Sequence, residues 1–181
     1  MREQVSLKVG SDRWDEWWEE LQSEFFKCET LPKYTVEGEE DMIALYRNGE
    51  LEKLRSIVEG YVSPKDSIWN TAKARGVSWR RVHVFERPLS EYLRFEIEVY
   101  RVQAVAEEIW MVPLDRLPTE WRPKLQDFQL FDLKRAFIGI YDDIGRPTNN
   151  ILSDDPDELA KLVEYRNKMI EVGIPLAAFK M

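Results

Sequence analysis

The stretch from Trp79 to Val112, WRRVHVFERPLSEYLRFEIEVYRVQAVAEEIWMV, constrains the fold most, because it reads as strand, helix and strand with almost no linker. Val82, Val84 and Phe85 make a β-favouring run that Pro88 ends. Leu93, Ile97, Tyr100 and Ala104 then recur at helical spacing before the apolar run Ile109-Trp110-Met111-Val112. A helix joining two such strands predicts a parallel pair. The rest of the chain has to pack around that unit.

Upstream, a short polar tail leads to Trp14, Trp17, Trp18, Leu21 and Phe25, which fall along one helical face opposite Asp15, Glu16, Glu19 and Glu20, with Asp12 as the N-cap. Such a tryptophan stripe suits a partner groove, but core packing is the simpler reading. A short extended piece precedes Pro32. A second helix is predicted to begin near Val36, to turn Met42, Ile43, Leu45 and Tyr46 inward, and to stop at Asn48-Gly49. The acidic run Glu37, Glu39, Glu40 and Asp41 has metal-ligand chemistry, yet at a helix start it is explained by the helix dipole. Leu51 to Gly76 reads as wholly or partly helical.

Downstream, PLDRLPTEWRPKLQ holds Pro113, Pro118 and Pro123 and reads as a long surface loop. Strands are expected over 127–132 and 136–141, and a third ending near Leu152 after the turn Asp142-Asp143-Ile144-Gly145. The last helix carries Asp155 as N-cap, Pro156 at its first position, and Gly173 then Pro175 beyond its end. The predicted fold is therefore α/β with α+β character. One mixed sheet of about five strands is built on the central β-α-β unit, with N-terminal helices and the capped C-terminal helix covering one face. A single domain spans 1–181, with its core over about 12–176.

Composition then removes function classes. Cys28 is the one cysteine, so no intrachain disulfide or cysteine metal cluster can form, which favours a reducing compartment. No apolar stretch approaches the roughly 18 residues of a membrane span, and no leader pattern opens the chain, so a cytoplasmic location is expected. A net charge of −8, with only the loose basic cluster Lys73, Arg75, Arg80 and Arg81, disfavours direct nucleic-acid binding and is compatible with a protein partner. A Ser-His-Asp triad would have to use the single histidine, His83, and no Gly-x-Ser-x-Gly elbow or phosphate-binding glycine loop occurs. A zinc site needs three or four Cys or His ligands, and the chain holds two such residues. Neither a cofactor nor a resident metal is expected. Carboxylates remain: Glu91, Glu96, Asp127, Asp132, Asp142 and Asp143 could bind magnesium or act as acid and base.

ETLPKYTVEGE, RRVHVFERPLSEYLRFEIEVY, AEEI, DFQLFD, YDDIGR and a closing DDP before a helix ending in IPL resemble, in that order, an uncharacterised bacterial family. It is a domain of unknown function often encoded beside helix-turn-helix regulators in high-GC Gram-positive bacteria. The resemblance runs from about Trp14 to Leu176. Four positions depart from it: His83 stands where the family usually has Arg, Ala106 where it has Gly, Trp110 where Arg is common, and Gln129 where Trp is usual. The block order also resembles half of a phospholipase-D-like fold. That resemblance implies a nucleophilic His in a His-x-Lys pair near Phe128 to Asp132, and no such pair exists.

The residues singled out as ligand or partner contacts are Arg81, His83, Glu91, Tyr92, Arg94, Glu96, Trp110, Asp127 and Asp132. Glu91 and Arg94 are spaced to pair on a helix surface, and Arg81 to meet Glu96 or Asp132 in an internal network. Three functions are open. The first is a non-catalytic regulatory or protein-interaction domain acting with a DNA-binding regulator, a neighbour that the family resemblance implies. The second is a small-ligand or nucleotide sensor using Arg81, Arg94 and the proline-rich loop. The third is a magnesium-dependent enzyme using Asp127 and Asp132.

Overall fold

The structure, a computed structural model, describes residues 1–181. In chain order its elements are β1 (Arg2–Ser6), α1 (Leu7–Glu20), β2 (Glu24–Glu29), α2 (Glu40–Arg47), α3 (Leu51–Val62), α4 (Ile68–Ala74), β3 (Ser78–Phe85), α5 (Glu91–Gln103), β4 (Glu108–Pro113), β5 (Phe128–Phe131), β6 (Arg135–Tyr141), β7 (Pro147–Ser153), α6 (Pro156–Val172) and β8 (Ile174–Pro175). The strands form one mixed sheet in the order β1-β7-β6-β5-β2-β3-β4-β8. β3 and β4 are parallel, as a β-α-β unit requires, and β2 extends the parallel set on the other side of β3. β5, β6, β7 and β1 continue as an antiparallel meander from β2.

The sheet has eight strands where sequence patterning gave about five. The extended piece before Pro32 is β2, a central strand. Its EFFKCE alternates apolar Phe26 and Cys28 with charged Lys27 and Glu29, a weak apolar signal for so buried a strand. The N-terminal tail is β1, paired with β7 through five residues of which only Val5 is buried. β8 has two residues and closes the other edge against β4.

Helix starts moved for local reasons. α1 begins at Leu7, capped by the Ser6 hydroxyl accepting from the Val9 N–H, and Asp12 lies inside it, paired with Lys8. Phe25 belongs to β2, although it completes the Trp14, Trp17 and Trp18 cluster by edge-on ring contacts. α2 starts at Glu40, four residues after Val36. Gly49 and Gly76, with φ of +74° each, end α2 and α4 in the left-handed conformation that glycine adopts without strain.

Both sheet faces are covered, not one. Phe26, Cys28, Val82, Val84, Leu130 and Ile138 pack under α6, which contributes Leu162, Tyr165 and Met169. The proline-rich loop is fixed on this side: Leu117 is buried, and the Trp121 ring lies 4.3 Å from that of Tyr165. The opposite face carries α1, α4 and α5, with α2 and α3 stacked outside α5. α5 thus has neighbours on two sides, and eight of its residues are buried, Glu96 and Glu98 among them. Its start is fixed by Ser90, whose hydroxyl accepts from the Leu93 N–H at 3.0 Å and donates to the Pro32 carbonyl.

Candidate ligand-binding cavity

Strand alternation sorts the polar residues onto the face away from α6. β2 sends Lys27 and Glu29 there, and β3 sends Arg81 and His83. Lys27 lies in register with Arg81 on one side and Gln129 of β5 on the other, so a polar row crosses the middle of the sheet between aromatic patches. α5 lies above this row with Tyr92, Glu96 and Tyr100. A cavity of about 520 Å³ remains between them, walled by Trp14, Trp69, Trp79, Tyr34, Tyr61 and Tyr141 and reached by Lys27, Glu29, Arg81, Glu39, Tyr92 and Glu96.

The floor is a charge network in which Glu107 Oε1 is buried without a hydrogen-bond partner. Arg81 donates from Nη1 to Glu29 at 2.9 Å and from Nε to Glu107 at 3.1 Å, and its guanidinium sits 5.0 Å from the Tyr100 ring centroid. Lys27 Nζ pairs with the other Glu29 oxygen at 2.7 Å. Burial alone would push the Glu29 carboxyl up, but Lys27 and Arg81 outweigh it and hold the group well below the usual range. Both cations are therefore committed to carboxylates. His83 is fully buried behind Glu29, with Nε2 against the Leu31 carbonyl at 3.2 Å and Nδ1 against the Tyr100 hydroxyl at 2.9 Å. Burial lowers it to about 4, so it is neutral at pH 7, with Nε2–H donating to Leu31. The single Tyr100 proton serves either His83 or Glu29 Oε2, which is 2.8 Å away.

The roof is less well satisfied. The Tyr92 hydroxyl lies 2.9 Å from Glu39 and 3.5 Å from Glu96, and its one proton can serve only one of them. Burial, then Glu29 and Glu39, push the Glu96 carboxyl up to about 7, and burial raises Glu39 as well. Trp69 Nε1, Trp79 Nε1 and Gln103 Oε1, all on residues lining the cavity, are buried without a hydrogen-bond partner.

Arg81, Tyr92 and Glu96 thus line the cavity, and His83 lies behind its floor. The rest of the predicted set separates. Asp127 accepts from the Thr30 N–H and hydroxyl at 2.8 Å each and from Tyr34 at 2.5 Å, tying down the loop after β2. Burial raises its carboxyl despite these bonds. Asp132, with φ of +52°, accepts from the N–H groups of Gln22, Ser23 and Glu24 and closes the turn between α1 and β2. These two aspartates bracket β5, roughly 16 Å apart along a strand rising about 3.3 Å per residue, so they cannot share one magnesium ion. No group of three or more His, Cys, Asp or Glu side chains is arranged to hold a metal.

Arg81 pairs with Glu29 and Glu107, not with Glu96 or Asp132. Glu91 pairs with Arg47 of α2, not with Arg94, and both Glu91 and Arg94 are exposed outside the cavity. Trp110 packs with the α6-side core. Neither Arg94 nor the proline-rich loop contributes to the cavity. Lys27, Glu29 and Gln103 were not among the predicted residues, and Glu39 stood only in the acidic run ascribed to the helix dipole. The alternation in EFFKCE was the available signal for Lys27 and Glu29 and the acidic run that for Glu39; Gln103 left none, because long-range packing brings it in.

No helix is long and apolar enough to cross a membrane. The fold is similar to that of Nuc, a phospholipase D family member from Salmonella typhimurium, at 9% identity over 97% of each chain with a TM-score of 0.50. It is also similar to TrmBL2, an archaeal chromatin protein with a novel mode of DNA binding, at 15% identity over 96% of this chain with a TM-score of 0.52. The chain spans about half the length of TrmBL2, 52%. No curated protein matches the sequence. Over residues 12–181, and so over nearly all the elements that build the sheet and its cavity, the chain belongs to the family described as a domain of unknown function (DUF6879).

Proposed function

We propose that this domain is a non-catalytic sensor: it binds a small organic molecule in the sheet-face cavity and acts as the regulatory partner of a DNA-binding protein, a helix-turn-helix regulator. The observation that carries the sensor reading is the cavity itself, about 520 Å³ with aromatic walls and buried charged groups, which has the size and lining of a small-molecule site. The strand β5 carries Phe-Gln-Leu-Phe where the phospholipase-D-like resemblance implies a His-x-Lys pair, and His83 is sealed in the core, which supports recognition over phosphodiester hydrolysis. For the partner, the net charge of −8 argues against this chain gripping DNA itself, while a DNA-binding chromatin protein has this fold over about half its length. That combination supports a division of labour in which another protein binds DNA.

The test is a thermal-shift screen of metabolites against the native chain and Gln129→Trp. Gln129 lines the cavity, and the family resemblance implies Trp at that position, so the larger ring is compatible with the fold. A ligand at about 100 times its Kd adds about 2.7 kcal/mol, which raises the Tm of a domain this size by roughly 5–10 °C. The expected result is such a shift in the native chain and its loss in Gln129→Trp. A screen in which no compound shifts the native chain, or in which every hit survives the substitution, overturns the cavity reading.

A further inference from the structure

The cavity is unbalanced in charge, and the imbalance has a direction. Its cations, Lys27 and Arg81, are both in ion pairs with Glu29, and Arg81 also with Glu107, so neither is left to attract an anionic ligand. Glu39 and Glu96 line the same space without an ion-pair partner and compete for one Tyr92 proton. Glu96 is only 7% exposed, so water does little to screen it, and burying a carboxylate without a partner is costly. Aromatic faces attract cations within about 6 Å of the ring centroid, and seven of the 22 residues lining the cavity are tryptophan or tyrosine. The unpartnered atoms are independent of the acidic pair. Trp79 is 6% exposed, and its indole N–H, like that of Trp69, lacks an acceptor, while Gln103 Oε1 lacks a donor.

Resting on the cavity reading above, we propose that the ligand is an organic cation: a protonated amine on an apolar or aromatic body, its N–H groups seated on Glu96 and Glu39 and its body against the indole and phenol rings. A ligand of this class returns to the two carboxylates the hydrogen bonds and the countercharge that the protein withholds.

The test is calorimetric titration at pH 8 of the full chain with 2-phenylethylamine, tryptamine and a small panel of alkylamines, each compared with its alcohol and its carboxylate counterpart. The expected result is binding of amines at least ten-fold tighter than of the matching alcohols, with no binding of the carboxylates. Glu96→Gln is expected to weaken the amines at least ten-fold and to leave the alcohols within two-fold; Glu39→Gln serves the same purpose should Glu96→Gln fail to give a native circular dichroism spectrum. Alcohols or carboxylates that bind as tightly as amines would leave the cavity reading standing and overturn the cationic ligand. Amine binding unchanged by both substitutions would also overturn it. Silence from the whole panel together with hits in the metabolite screen overturns the cation alone; silence in both overturns both readings.

Discussion

Arg81 and Arg94 are both arginines of the central β-α-β unit, but their environments make them opposites. Arg81 is buried between Glu29 and Glu107, and removing its charge leaves Glu107 with no ion-pair partner and Glu29 with Lys27 alone in a low-dielectric interior. Arg81→Met is expected to cost about 3–5 kcal/mol in urea unfolding. Arg94 is exposed, and Arg94→Ala is expected to stay within about 0.5 kcal/mol of the native chain. Equal losses in the two variants would contradict the network described. Asp132 gives the same lesson in reverse: it has the look of a metal ligand, yet its carboxylate is spent on the Ser23 hydroxyl and three backbone N–H groups, and although partial burial opposes them, the Ser23 hydroxyl first and then the backbone bonds hold its carboxyl below the usual range.

Among the elements, α5 does most to shape the cavity, because it contributes Tyr92, Glu96 and Gln103 and lies between the sheet and α3. Its N-cap, Ser90, also ties down the loop at Pro32. α6 has an equally good cap, with Asp155 accepting from the Asp157 and Glu158 N–H groups at 3.2 and 3.1 Å, but it covers the other face. Ser90→Ala and Asp155→Ala are each expected to cost about 1 kcal/mol of stability by chemical denaturation. Only Ser90→Ala is expected to weaken the binding of compounds found in the thermal-shift screen. Both helices were legible in the sequence, since caps and apolar spacing are local signals. β2 was legible only as an extended piece, because charged side chains mask its apolar alternation until the cavity above them is known.

For the molecule as a whole, the excess of buried acid makes stability depend on pH. Glu96 has a folded pKa of about 7 against an ordinary 4.5, so the fold binds its proton more tightly than the unfolded chain does. That contribution is fully present below pH 4.5 and is lost as pH rises through 7. Glu96→Gln is therefore expected to unfold at a higher temperature than the native chain at pH 8, with the gap closing at pH 4.5. A native chain more stable than Glu96→Gln at pH 8 would mean that the carboxylate has found a cationic partner within the protein.

By itself the sequence determined the β-α-β centre, the mixed sheet, the capped last helix and the lack of a phosphohistidine pair, because each follows from spacing or residue type along a short stretch. Tertiary structure decided which charges meet. Arg81 found Glu29 and Glu107 across 52 and 26 residues, Asp127 and Asp132 went to opposite ends of one strand, and Glu39 was carried over Tyr92 and Glu96 by the segment between β2 and α2. Pairing of this kind depends on strand order and helix stacking, and strand order is fixed only when the whole apolar surface is buried at once.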